Sequence, residues 1–273
     1  MKNIRIISVI AVVLVLGIVV LSGCNPAAQP QPEPAEVEHT QWTILTDTIY
    51  QTTVHHYVTD KPGPRVCLVG GTHGDELAGW NAGLKLVDMI PEWENVCGEI
   101  LLIPQANILA DNLQQRYPGS TDGGMYDGIK YTDLNRAFPG NANGTPTEQI
   151  ALAISDTVKD FQPDYIVDLH ESRHSWSTSD SLNLGDTLIH GGSKSALFML
   201  DLIDYYNDTY REEGDVEFAY NGYPPEGSFN QYFTAYYPDA VVFTIETNRE
   251  LALEKRVSQQ ILILTALFDV IWQ

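Results

Sequence analysis

Basic residues are scarce in this sequence. Lys and Arg number 15 against 36 Asp and Glu, a formal net charge of −21 over 273 residues. Such a surface works against nucleic acid and anionic lipid as partners, and it makes each arginine informative. Cysteine is scarcer still. The three present, Cys24, Cys67 and Cys97, do not have the spacing of a zinc finger. No internal repeat occurs, and no second linker breaks the chain between about His39 and Gln273, so that length reads as one domain. With 44% hydrophobic and 10% aromatic residues, it has ample material for a full core.

The amino terminus reads as targeting, not fold. Lys2 and Arg5 precede an apolar run from Ile6 to Leu21, and Leu21-Ser22-Gly23-Cys24 follows. The pattern is that of a secretory signal with a small-residue cleavage region. Its ending resembles a bacterial lipobox, in which Cys24 becomes the lipidated first residue. A single spanning anchor is the alternative, since the apolar run is near the lower limit for a span. Both readings predict an extracytoplasmic, membrane-tethered domain. Residues 25–38, rich in alternating Pro, read as an extended, semi-rigid linker. Outside the cytoplasm Cys67 and Cys97 can pair or remain as buried thiols, and spacing does not decide between these.

From His39 onward, strand patterns alternate with helical ones. Strands are predicted at Trp42–Leu45, Tyr50–Val58, Val66–Val69, Glu99–Pro104, Tyr165–Leu169 and Ala240–Glu246. Helices are predicted at Glu76–Met89, Thr147–Phe161, Ser193–Glu212 and Arg249–Trp272. That alternation implies an α/β three-layer sandwich, a largely parallel sheet with helices on both faces. The first two strands read as a hairpin, which makes the sheet mixed.

The stretch Val66 to Gly79 organises the rest. A short apolar strand breaks at Gly70-Gly71, and His73 and Glu76 follow where a helix begins. Open α/β sheets place ligand sites at that edge, and an imidazole and a carboxylate three residues apart can close on one metal ion. Alone, the pair is also what a helix amino terminus produces, where acids suit the macrodipole. Three further stretches weigh against coincidence. The strand Tyr165-Ile-Val-Asp-Leu runs into His170, with Asp168 on the same face and able to hold the imidazole. Asn135-Arg136 sits in a Gly/Pro/Asn-rich segment and offers a planar fork for a carboxylate. The strand Ala240-Val-Val-Phe-Thr-Ile leads into Glu246, placed as a general base. Two His, one carboxylate and an open fourth position make a catalytic zinc set.

The order Gly-Gly-Thr-His73-Gly-Asp-Glu76, Asp-Leu-Asn135-Arg136, Asp-Leu-His170 and Thr-Ile-Glu246-Thr resembles the zinc carboxypeptidase superfamily. Its nearer branch is the succinylglutamate desuccinylase/aspartoacylase group. The resemblance implies one Zn²⁺ held by His73, Glu76 and His170, with Glu246 as the base. It implies that Asn135 and Arg136 grip a substrate carboxylate, that Arg116 polarises the scissile carbonyl, and that Tyr223 contacts substrate. Arg116 matches more loosely, because residues 118–130 read as an inserted loop. The implied reaction is hydrolysis of an amide or ester bond beside a free carboxylate, on an N-acyl amino acid or on a peptide such as a muropeptide. A surface lipoprotein that binds carboxylates without turnover is the alternative of another class.

Overall fold

The computed structural model describes residues 35–93, 96–177 and 183–272. The segment read as a signal, Cys24, and residues 25–34 of the linker lie outside the described residues. The elements in order are β1 Val37–Ile44, β2 Thr52–Thr59, β3 Arg65–Gly70, α1 Leu77–Met89, β4 Glu99–Ile103, α2 Ile108–Leu113, β5 Met125–Tyr126, β6 Ile129–Lys130, α3 Pro146–Phe161, β7 Tyr165–Ser172, β8 Thr187–His190, α4 Ser193–Thr209, β9 Ala219–Gly222, α5 Phe229–Tyr236, β10 Val241–Asn248 and α6 Leu253–Ile271. Eight strands form one sheet in the order β1-β2-β4-β3-β7-β10-β8-β9. The hairpin β1–β2 is antiparallel, as are β2–β4 and β8–β10, while β4–β3–β7–β10 run parallel. The mixed, largely parallel sheet expected from the sequence is borne out.

Strand alternation explains the layers. Val66, Leu68, Val167, Leu169, Phe243 and Ile245 face a core cluster that includes residues of α1, α4 and α6. Their neighbours Cys67, Val69, Ile166 and Val242 face a second cluster shared with α3 and α5. A period of two along strands buried on both faces yields two apolar layers, and each buried Leu, Ile, Val or Phe contributes roughly 1.5–3 kcal/mol. Helix α3 is set by its ends. Thr145 and Glu148 form a reciprocal capping box, Pro146 opens the first turn, and Gln162 closes the helix in a left-handed conformation.

Several boundaries differ from the sequence expectation. β1 begins at Val37, inside the stretch read as linker, because Ala35 and Val37 pack on the first core cluster. The last helix starts at Leu253 rather than Arg249. β10 runs on to Asn248, whose side chain accepts from the Glu250 amide and holds residues 249–252 in a turn. Residues 118–130 carry the small β5–β6 ribbon. The short elements α2, α5, β8 and β9 escaped the pattern reading. Cys67 and Cys97 are both free thiols, the former buried.

Candidate active site

Three parallel strands bring His73, Glu76, His170 and Glu246 to one sheet edge. After β3 the chain turns at Gly71, whose φ of +74° a side chain would strain. His73 follows, and Glu76 caps α1. Helix α1 lies against β7 so closely that a Cβ on Gly79 would sit 2.5 Å from the Leu169 carbonyl oxygen. That approach brings Glu76 to His170. On the adjacent strand Glu246 stands in register with His170. Both strands continue two residues past these positions, so His170 and Glu246 lie within β7 and β10, not at their last residue.

His73, Glu76 and His170 are buried. One ligand atom from each lies within 4.8 Å of the others. Nδ1 of His73 is 2.8 Å from Glu76 Oε1, and Nδ1 of His170 is 2.7 Å from Glu76 Oε2. The far ring nitrogens face other carboxylates, His73 Nε2 at 2.9 Å from Asp133 and His170 Nε2 at 2.7 Å from Asp168. When each Nε2 donates its proton to that carboxylate, Nδ1 of the same ring becomes the atom able to ligate a metal. The donor set, two imidazoles and one carboxylate backed by carboxylates, therefore fits a zinc ion.

The charges agree. Burial pulls His73 and His170 down, but Glu76 with Asp133 or Asp168 outweighs it and both stay above the usual imidazole range. Burial pushes Glu76 up, yet the two imidazoles hold it well below the usual carboxylate range. Asp133 is likewise lowered against burial, by His73 and Arg116. Glu246 behaves differently. Burial pushes its carboxyl up to about 8, and no hydrogen-bond donor reaches it among the described residues. A desolvated carboxyl beside the ligand set suits a proton acceptor.

A cavity of about 790 Å³ opens on this cluster. Every sequence-predicted site residue lines it: His73, Glu76, His170, Glu246, Arg116, Asn135, Arg136 and Tyr223. Arg116 pairs with Asp133 at 3.0 Å and Glu76 at 3.3 Å. Asn135 is fixed by the Phe229 amide, which donates to its Oδ1, and Arg136 is exposed. Tyr223 is 96% exposed with a φ of +71°. Sequence reasoning missed Arg173 and Arg249, which also line the cavity, and gave Asp133 no role. The scarcity of arginine was the signal that could have found the first two. Each stands three residues past a site residue.

Residues 62–185 match the family described as Succinylglutamate desuccinylase/Aspartoacylase catalytic domain. The chain is 35% identical over 108 residues to N-alpha-acetyl-L-2,4-diaminobutyric acid deacetylase of Halomonas elongata, a match covering 40% of this chain and 28% of that relative. Its fold is similar to a succinylglutamate desuccinylase/aspartoacylase from Rhodobacter sphaeroides, with TM-score 0.62, 19% identity, and coverage of 86% of this chain and 65% of the other. It is also similar to the tripeptide-bound cell shape determinant Csd4 of Helicobacter pylori, with TM-score 0.60, 17% identity, and coverage of 86% and 55%. The resemblance drawn from the motifs is borne out.

Proposed function

On the premise of that succinylglutamate desuccinylase/aspartoacylase match over residues 62–185, we propose that this chain is a zinc-dependent deacylase. It cleaves an amide or ester bond beside a free carboxylate. The observation that carries this reading is the register pairing of Glu246 with His170, which puts a desolvated base beside a buried His-Glu-His set in one cavity. Zinc bound at His73, Glu76 and His170 supplies Lewis-acid polarisation of the scissile carbonyl and a more acidic water. The chain supplies the rest. Glu246 takes the proton of the attacking water and passes it to the leaving amine. Arg116 faces the carbonyl oxygen as negative charge develops there. Asn135 and Arg136 hold the substrate carboxylate and so set which bond meets the base.

A second reading is a carboxypeptidase that trims peptides, such as muropeptides. The size of the cavity favours it, since about 790 Å³ is near the upper end for small-molecule sites. Assays of N-acyl amino acids beside short peptides separate the two. Zinc bound with no hydrolysis of either class identifies a binding protein instead. Glu246→Gln keeps shape but cannot take a proton. Its kcat should fall roughly 10²–10⁴-fold with zinc content unchanged. Loss of zinc in that variant makes Glu246 a ligand, and full activity rejects the mechanism.

The domain is tethered, in this proposal, through a lipid on Cys24. Cys24→Ser should abolish lipid attachment and leave uncleaved precursor. Continued labelling by a fatty-acid probe favours a spanning anchor.

A further inference from the structure

We infer that Glu171 is a positioning residue for the metal set: clamped by Arg256 of α6, it holds the first turn of α1 and with it the carboxylate of Glu76. This rests on the reading of His73, Glu76 and His170 as zinc ligands.

The amino end of α1 is the first argument. The first four amides of a helix have no acceptor within the helix. Glu76 stands at the N-cap of α1, but its side chain makes no capping bond, and the first turn holds no acid. The acceptor comes from β7 instead. Glu171 Oε2 accepts from the Ala78 amide at 3.0 Å. The Glu171 amide in turn donates to Glu76 Oε2 at 2.9 Å, the same oxygen that faces His170 Nδ1 at 2.7 Å. One residue therefore grips both the start of the helix and the carboxylate that reaches the two histidines.

The place of Glu171 on its strand is the second argument. Val167 and Leu169 face the core cluster that includes residues of α1, α4 and α6, and Glu171, two residues on, points the same way. A leucine at that place would pack, but it has no oxygen for the Ala78 amide. Glu171 and Arg256 are both buried. Arg256 pairs with Glu171 Oε1, and Thr247, opposite on β10, donates to the same oxygen at 3.5 Å. Gln260, one turn further along α6, donates to the His170 carbonyl at 2.9 Å and to Thr247 Oγ1 at 3.2 Å. Helix α6 thus fixes the Glu171 carboxylate and the His170 backbone together. Arg256 is not among the described residues that line the cavity, so it acts through Glu171 and not on substrate.

Breaking a buried ion pair from one side strands a charge, whereas replacing both partners by apolar groups is often neutral. The test therefore uses double variants. Glu171→Leu with Arg256→Met removes both charges and the acceptor for Ala78. Glu171→Gln with Arg256→Met removes the charges and keeps an acceptor. Zinc affinity by chelator competition and urea unfolding of the metal-free protein are measured on each. The variant with Gln should bind zinc nearly as the unmodified protein does. The variant with Leu should bind it roughly tenfold or more weakly at similar metal-free stability, as loss of an outer partner of a ligand does. Equal zinc affinity in the two double variants, or losses that simply follow metal-free stability, overturns the inference. If either variant does not fold, amide exchange in the unmodified metal-free protein decides. Ala78 exchanging as slowly as Ala82 in the interior of α1 upholds the clamp, and exchange at the rate of an open first-turn amide overturns it. If the unmodified protein binds no zinc, the metal reading fails separately, and the same exchange measurement decides the clamp.

Discussion

β1 and β7 are each eight residues long and lie in the same sheet, yet they are buried in opposite ways. Six residues of β1 are exposed, whereas all of β7 except Tyr165 is buried. Composition does not explain this. β7 carries Asp168, His170, Glu171 and Ser172, and β1 carries Val37, Trp42 and Ile44. Position does. β1 is the edge of the sheet and β7 stands near its middle, between β3 and β10. Buried polar groups on a central strand are tolerated only when each is partnered. Asp168 accepts from Thr72 and faces His170, while Glu171 accepts from the Ala78 amide and pairs with Arg256. Four polar side chains held at that cost, at the carboxyl end of a parallel strand, mark a site that chemistry and not packing has shaped.

The largest test of this contrast removes a β7 imidazole. His170→Ala should lose zinc, because only His73 and Glu76 then remain, and activity should vanish with it. It also deprives Glu76 and Asp168 of the buried cation that lowers the cost of their burial. Metal analysis of the purified variant decides the matter, and full zinc occupancy rejects the ligand assignment. His73→Ala should behave alike.

A smaller effect is expected one residue behind the ligand. Asp168→Asn keeps the size and the Thr72 contact but removes the charge that fixes the His170 ring. Outer carboxylates of this kind are worth roughly 10–100-fold in metal affinity. Chelator competition should show a weakening in that range, with the fold retained by circular dichroism. Unchanged affinity assigns Asp168 to packing alone.

The same contrast explains what the sequence made legible. The layered fold was readable because β3, β7 and β10 are buried on both faces and therefore written in apolar runs. The candidate site was readable because His170 and Glu246 end such runs, and His73 and Glu76 follow the glycine break after β3. Partners brought in by tertiary packing left no local trace. Asp133 reaches His73 across 60 residues, and Arg249 reaches Asp75 across 174. The short strands β8 and β9 have four residues each, too few for a period to show. The start of β1 was hidden for the opposite reason. Its exposed residues resemble a linker because an edge strand needs little apolar surface.

The smallest effect is predicted at β1 itself. Trp42 is 41% exposed, and its one ring contact among the described residues is edge-on to His56, with centroids 6.4 Å apart. Across the ladder it pairs with Val54. Trp42→Ser loses that contact and some strand propensity, but it opens no enclosed cavity, since solvent already reaches the ring. The cost should be about 1 kcal/mol or less. Leu68→Ala in β3 is the matching central-strand change. It empties space among fully buried neighbours and should cost about 2–5 kcal/mol. Urea unfolding of both variants, read as a change in midpoint at constant slope, measures the difference. If Trp42→Ser costs as much as Leu68→Ala, β1 is covered in solution by something this chain does not itself supply. The comparison between edge and centre would then describe the isolated chain and not its working form.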